Sequence, residues 1–249
     1  YIIDSVIPLL EDAKIPYFTP ATSTELVNFE PDFMISGSSK SLYKKYCISH
    51  WIKQNFIKKS CYIGKKMKWQ SIHANVLNDI KDTLQISHAN LQYQNCSDFE
   101  KIIKKIKQEK YECIIIDNYK SDFYTFLKLI QNTKINIPII CNISIDKHLK
   151  KEIQILELKN PIYQIDSSIP EAFQEKYYHE YPKSECSRYA FNAYAGTHLL
   201  VQSILNKGKS SIKEFLIQNI NPCIFQETFE FDQHGDLSSS NWEIKKINI

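Results

Sequence analysis

A parallel β-sheet covered by helices on both faces, an α/β fold, is the architecture this sequence predicts, and three observations carry it. Apolar residues recur at helical spacing in one stretch and as unbroken β-branched runs in the next. The two patterns alternate from about residue 41 to 166, and the connections between them are short. Residues 99–119 show the alternation in miniature. Phe99, Ile102, Ile103 and Ile106 fall on one helical face while the intervening lysines can stay in water. Cys113, Ile114, Ile115 and Ile116 then form a continuous apolar run, as expected of a strand buried on both sides. The run ends at Asp117, Asn118 and Tyr119, the carboxyl edge where ligands bind in open parallel sheets.

Taken in order, residues 2–14 place Ile2, Val6, Leu9 and Leu10 on one helical stripe, and Ile15-Pro16-Tyr17-Phe18 reads as a short strand leading to Thr19 and Pro20. The small polar segment 21–26 offers several hydroxyls, followed by a loop through Asn28, Pro31 and Asp32. A helix over 41–56 turns Leu42, Tyr46 and Trp51 inward, and a strand follows at 61–64. The next helix, 70–85, carries Ile72, Val76, Leu77, Ile80 and Leu84 as its stripe, ahead of a weaker strand at 90–94. After the 99–119 segment come a helix over 121–132 presenting Phe123, Phe126, Leu127 and Ile130, a strand at 135–141, a helix over 146–158 and a strand at 162–165. Five such strands joined by right-handed crossovers make one parallel sheet. Past Asp166 the rhythm breaks into helices over 171–180, 187–206 and 211–220. A strand-like hairpin closes the chain, its arms 223–232 and 241–249 separated by the turn Gln233-His234-Gly235-Asp236.

Composition narrows the function. With 249 residues, 43% of them hydrophobic, the chain can bury the core of one large domain or two lobes. Its net charge of +3 comes from dispersed side chains, so nucleic acid is not an expected partner, and no run of about 18 apolar residues predicts direct membrane insertion. Gly64-Lys65-Lys66 lacks the first glycine and the Ser or Thr of a phosphate-binding loop. The seven cysteines form no close metal-ligand pairs, and their odd number argues against a complete disulfide framework; a reducing compartment suits them. The seven histidines are scattered and no G-x-S-x-G elbow is present, so neither catalysis nor a metal or cofactor is expected. The chain opens on Tyr1 inside a helical pattern, from which we expect the amino terminus of the protein to lie upstream.

The order PLLEDAKIPYFTPATSTEL, then the helix–strand series, then YAFNAYAGTHLLVQSI and FDQHGDLSSSNWEI, resembles the type I periplasmic binding proteins over essentially the whole chain. The similarity is greatest to receptors of branched-chain amino-acid and of amide or urea ABC transporters. It implies two Rossmann-like lobes with parallel sheets joined by a hinge, the first incomplete by about three strands. Lobe one then comprises residues 1–38 and 168–222, and lobe two 39–167 and 223–249. The implied function is a solute-binding receptor of the Venus-flytrap type, like leucine-binding protein. Such a receptor captures an amino acid or similar small polar ligand by lobe closure and presents it to an ABC transporter permease, in the periplasm or lipid-anchored outside the inner membrane. A receptor for a small amide or urea, and a cytosolic ligand-sensing module of the same fold, are the alternatives.

The resemblance also implies site residues. Ala21 and Thr22 match a turn that holds a ligand's carboxylate or amide; as a residue of its type, Thr22 could equally cap the next helical turn. Trp69 falls where a Tyr covers the ligand, against the simpler reading of packing at a helix start. Tyr119 matches another lining aromatic. Asp117 beside it either meets an amino or amide group or caps the helix beginning near Ser121. Ser144 completes the set: with Asn142 and Ile143 it stands where amino-acid receptors place a carboxylate. A buried ammonium without a counter-charge is costly, which keeps an uncharged amide open.

Overall fold

The computed structural model describes residues 2–20, 23–27, 30–38, 40–206, 211–218, 223–238 and 242–248, without the side chains of 2–4, 24, 43, 68 and 69. The chain divides into two compact units: Tyr1–Tyr43 with Ser167–Asn241, and Lys44–Asp166 with Trp242–Ile249. In chain order the elements are α1 (Ile2–Asp12), β1 (Tyr17–Thr19), β2 (Met34–Ser36), α2 (Ser41–Gln54), β3 (Lys59–Lys65), α3 (Lys68–Leu84), β4 (Ser87–Tyr93) and α4 (Phe99–Glu109). There follow β5 (Cys113–Asp117), α5 (Lys120–Gln131), β6 (Ile139–Cys141), α6 (Lys147–Ile155) and β7 (Ile162–Ser167). The chain ends with α7 (Glu171–Glu180), α8 (Arg188–Asn206), α9 (Ile212–Gln218), β8 (Cys223–Ile224), β9 (Glu227–Thr228) and β10 (Trp242–Lys246).

The second unit is built on a six-stranded sheet of order β10-β7-β6-β5-β3-β4, parallel from β7 to β4. Every residue of β5 is buried, as its unbroken apolar run predicts. Alternation sends Ile114 and Ile116 into one core with Ile63, Phe99, Phe123 and Phe126, and Cys113 and Ile115 into another with Trp51, Tyr62, Leu77 and Ile80. The expected stripes of α4 and α5 are the buried ones. β6 is shorter than its apolar run because Pro138 has no N–H to give; it serves the ladder through its carbonyl, which accepts from Ile114 N at 3.0 Å. Ile247 N donates to Ile162 O at 2.9 Å, which sets the end of β10 beside the start of β7, antiparallel to it.

Glycine is scarce, and the helix ends show the consequence. Lys14, Phe56, Gln85 and Lys110 all hold φ near +55°, the left-handed position that glycine usually takes after a helix. Each is followed by an apolar residue whose N–H reaches back to a carbonyl five positions earlier: Ile15 to Leu10, Ile57 to Ile52, Ile86 to Lys81 and Tyr111 to Ile106.

The first unit has a parallel β1–β2 pair and a core of Ile35, Phe173, Phe191, Leu199, Leu216 and Phe229. Gly196 lets α8 pack flat on Phe18, since a Cβ there would sit 2.1 Å from the ring. β2 was not expected; three buried residues are too few to show a period. Two stripes also differ from expectation. In α1 Ile7 is buried while Val6 and Leu9 are exposed, and in α2 Ile48 and Ile52 join Trp51 inside while Leu42 and Tyr46 face solvent. Both helices carry apolar residues around much of their circumference, which leaves the inward face undetermined by pattern alone.

The closing hairpin is also corrected. β8 and β9 pair through a tight turn at Phe225 and Gln226, both at positive φ, whereas β10 joins the six-stranded sheet. The 233–236 turn instead closes the bridge between Phe231 and Leu237. No helix among the described residues is long and apolar enough to cross a membrane.

Candidate functional site

Parallel pairing sets Gly64 beside Asp117, Ile116 beside Cys141 and Cys141 beside Gln164. The segments that leave the sheet there, 65–67, 117–119 and 142–146, form one rim at its carboxyl edge. Two polar clusters occupy it. In the first, Asp117, only 2% exposed, accepts from Tyr62 Oη at 3.2 Å, from His73 Nδ1 at 2.5 Å and from Asn142 Nδ2 at 3.2 Å. Gln70 Nε2 donates to the Asp117 carbonyl at 2.5 Å. Gly64 makes the first contact possible: a Cβ there would stand 2.6 Å from the Tyr62 ring, which lies across it toward the rim. Burial, then the Asp117 carboxylate, pushes the Tyr62 phenol far above its ordinary range, so its hydroxyl stays a donor.

In the second cluster Asp122 accepts from Tyr93 Oη at 2.9 Å and pairs with Lys65 Nζ at 3.3 Å, with Cys96 Sγ at 3.5 Å. Burial and then Asp122 raise the Tyr93 phenol, and the same two causes raise the Cys96 thiol. Lys65 also lies 5.3 Å from the centre of the Tyr119 ring. Nearby, Asp146 caps α6 through Leu149 N at 2.8 Å and pairs with Lys120; that pairing, then the cap, holds its carboxyl below the usual range.

Of the residues implied by resemblance, Tyr119 and Ser144 both stand on this rim. Tyr119 is 45% exposed, with its hydroxyl donating to Met67 Sδ at 3.4 Å, and Ser144 is exposed in the loop after β6. Trp69 lies in the first turn of α3, its side chain outside the described atoms, and Ala21 and Thr22 lie outside the described residues. Asp117 does not cap α5: the cap position is Tyr119, without a side-chain bond, because the Asp117 carboxylate turns toward α3.

Sequence reasoning missed Gln70, His73, Lys65 and Asp122. Gln70 and His73, one turn apart in the same helix that buries Ala74 and Leu77, were the available signal. In the first unit, at the ends of β1 and β2, Gly37 N donates to Thr19 O at 2.9 Å and Asn192 Nδ2 donates to Gly37 O at 2.8 Å.

No protein-family model matches the sequence, and no curated protein matches it. Solved structures do. A leucine binding protein, LivK, from Thermotoga maritima superposes with a TM-score of 0.78 at 16% identity, over 98% of this chain and 75% of that one. The solute binding protein of an ABC transporter from R. palustris, in complex with benzoate, gives 0.77 at 10% identity, over 98% and 71%. The branched-chain amino acid transporter substrate binding protein LivJ from Streptococcus pneumoniae, in complex with isoleucine, gives 0.71 at 17% identity, over 98% and 76%. The chain therefore has the α/β fold of the type I periplasmic binding proteins, as its motifs led us to expect, and spans about three quarters of the length of these examples.

Proposed function

We propose that the protein is a solute-binding receptor of an ABC transporter, taking an amino acid or similar small polar molecule by lobe closure. The observation that carries this reading is the match of nearly the whole chain to several ABC transporter substrate-binding proteins, whose named ligands include leucine, isoleucine and benzoate. The polar rim of the six-stranded sheet supports it, since that edge is where open parallel sheets bind ligands. In this reading Ala21 and Thr22 grip the ligand's head group, Trp69 and Tyr119 cover it, and Ser144 lines the rim. Affinity for the closed form shifts the hinge equilibrium, and an ABC permease is the downstream partner. The seven free cysteines favour a second reading, a ligand-sensing module in a reducing compartment. A thermal-shift screen of small solutes, followed by calorimetry, tests the receptor reading. A saturable ligand of millimolar affinity or better is expected, and no response across amino acids, amides, carboxylates and urea overturns it.

A further inference from the structure

We infer that the outer edge of β4 pairs with the β4 of a second copy of this chain, the two strands running antiparallel about a twofold axis at Asn90. The six-stranded sheet has two edges, β10 and β4, and they differ in charge. A sheet edge is a template for pairing with another chain, which soluble proteins block with lysine, proline or a bulge. β10 is guarded in this way by Glu243, Lys245 and Lys246. β4, Ser87-His88-Ala89-Asn90-Leu91-Gln92-Tyr93, contains no Lys, Arg, Asp, Glu, Pro or Gly, and its ladder to β3 runs from end to end without a bulge. In a chain that is 24% charged, the longer of the two edges is the one left open.

The pairing with β3 fixes which backbone groups face outward. Ser87 N donates to Lys58 O and Tyr93 O accepts from Lys66 N, both at 2.9 Å, so Ser87, Ala89, Leu91 and Tyr93 turn their N–H and C=O toward β3. Alternation turns those of His88, Asn90 and Gln92 the other way, where no strand meets them among the described residues. Facing residues of an antiparallel pair exchange both their N–H···O bonds at every second position. With Asn90 on the axis, His88 of one copy faces Gln92 of the other and Asn90 faces its counterpart, so each outward N–H meets an outward C=O. The facing side chains are neutral: amide opposite amide at the axis, and beside it an amide opposite an imidazole whose pKa burial lowers to about 4. No like charges are opposed, and a net charge of only +3 adds little repulsion between copies. A second copy therefore fits this edge at the register its geometry dictates. The twofold uses up both open edges and leaves only guarded β10 edges, so association stops at the dimer.

Sedimentation equilibrium of the full chain should show reversible dimerisation below about 1 mM, the range of small transient interfaces. Hydrogen exchange locates the contact: the amides of His88, Asn90 and Gln92 should exchange at least threefold more slowly in concentrated than in dilute protein. Gln92→Pro removes an outward N–H from each copy while leaving the bonds to β3 in place, so it should raise the dissociation constant at least tenfold. Should Gln92→Pro not fold, Asn90→Lys, which sets like charges across the axis, supplies the same comparison. A monomer at every concentration overturns the inference and leaves the edge to a strand from a different protein. A dimer whose three amides exchange equally fast at both concentrations overturns it as well, because the contact then lies elsewhere. So does a folded variant that dimerises with wild-type affinity, or growth beyond the dimer.

Discussion

Asp117→Ala tests whether the first rim cluster is a bonded unit. The substitution leaves three donors without their acceptor, but they differ in access to water. The Tyr62 ring is 1% exposed, and its other acceptor, the Gln70 carbonyl, is at 3.4 Å, so its hydroxyl is left nearly unmet at about 1–3 kcal/mol. His73 and Asn142 are half-buried and can turn to solvent, adding roughly 0.5 kcal/mol each. The Gln70 bond goes to the main chain and survives. The sum is about 3 kcal/mol, or roughly 6–12 °C in melting temperature for a chain of this length. Tyr62→Phe alone should cost about 1 kcal/mol, since Asp117 keeps two other donors. The double variant removes the stranded hydroxyl together with its acceptor and should cost about 1–2 kcal/mol less than the two singles added. Urea denaturation of the four proteins, followed by circular dichroism, measures this coupling. Additivity within about 0.5 kcal/mol would refute the cluster as drawn.

Gly196→Ala gains about 1 kcal/mol of helix propensity but drives a Cβ into the Phe18 ring, so it should destabilise by about 1–3 kcal/mol; a higher melting temperature contradicts the packing. Lys110→Gly should stabilise by about 0.5–1 kcal/mol by relieving the left-handed backbone, and a lower urea midpoint would count against it. His88 faces Ser60 Oγ at 2.8 Å, and burial lowers its pKa from the ordinary value near 6.5 to about 4. Below pH 6.5 the unfolded chain binds the extra proton, so stability is full above that value. It falls by about 3 kcal/mol as pH drops to about 4, and His88→Gln should flatten the dependence between these limits. Trp69→Ala should weaken solute binding at least tenfold without unfolding the protein; unchanged affinity by calorimetry would remove Trp69 from the site.

The fold was legible where one physical preference acted alone. β5 and the stripes of α4 and α5 could be read from sequence because a doubly buried strand and a one-sided helix each leave a clear period. α1 and α2 were harder because apolar residues flank both sides of their stripes, so tertiary packing chose the face. β2 escaped because three residues carry no period, and β10 because the QHGD turn suggested a local partner when the sheet edge supplied a distant one. The rim was legible as a place, through the strand end at Asp117, but not as a network. Which donor meets Asp117 depends on α3 bringing His73 across 44 positions and β3 bringing Tyr62 across 55, and no local pattern records such distances.

The receptor account stands or falls most directly on ligand-linked stabilisation of the full chain. At a hundred times its dissociation constant, the solute should stabilise the protein by about 2.7 kcal/mol, raising the melting temperature by roughly 5–10 °C. Calorimetry with the same compound should show saturable binding with a negative heat-capacity change. A flat melting temperature across the amino acids, amides, carboxylates and urea at millimolar concentration contradicts it.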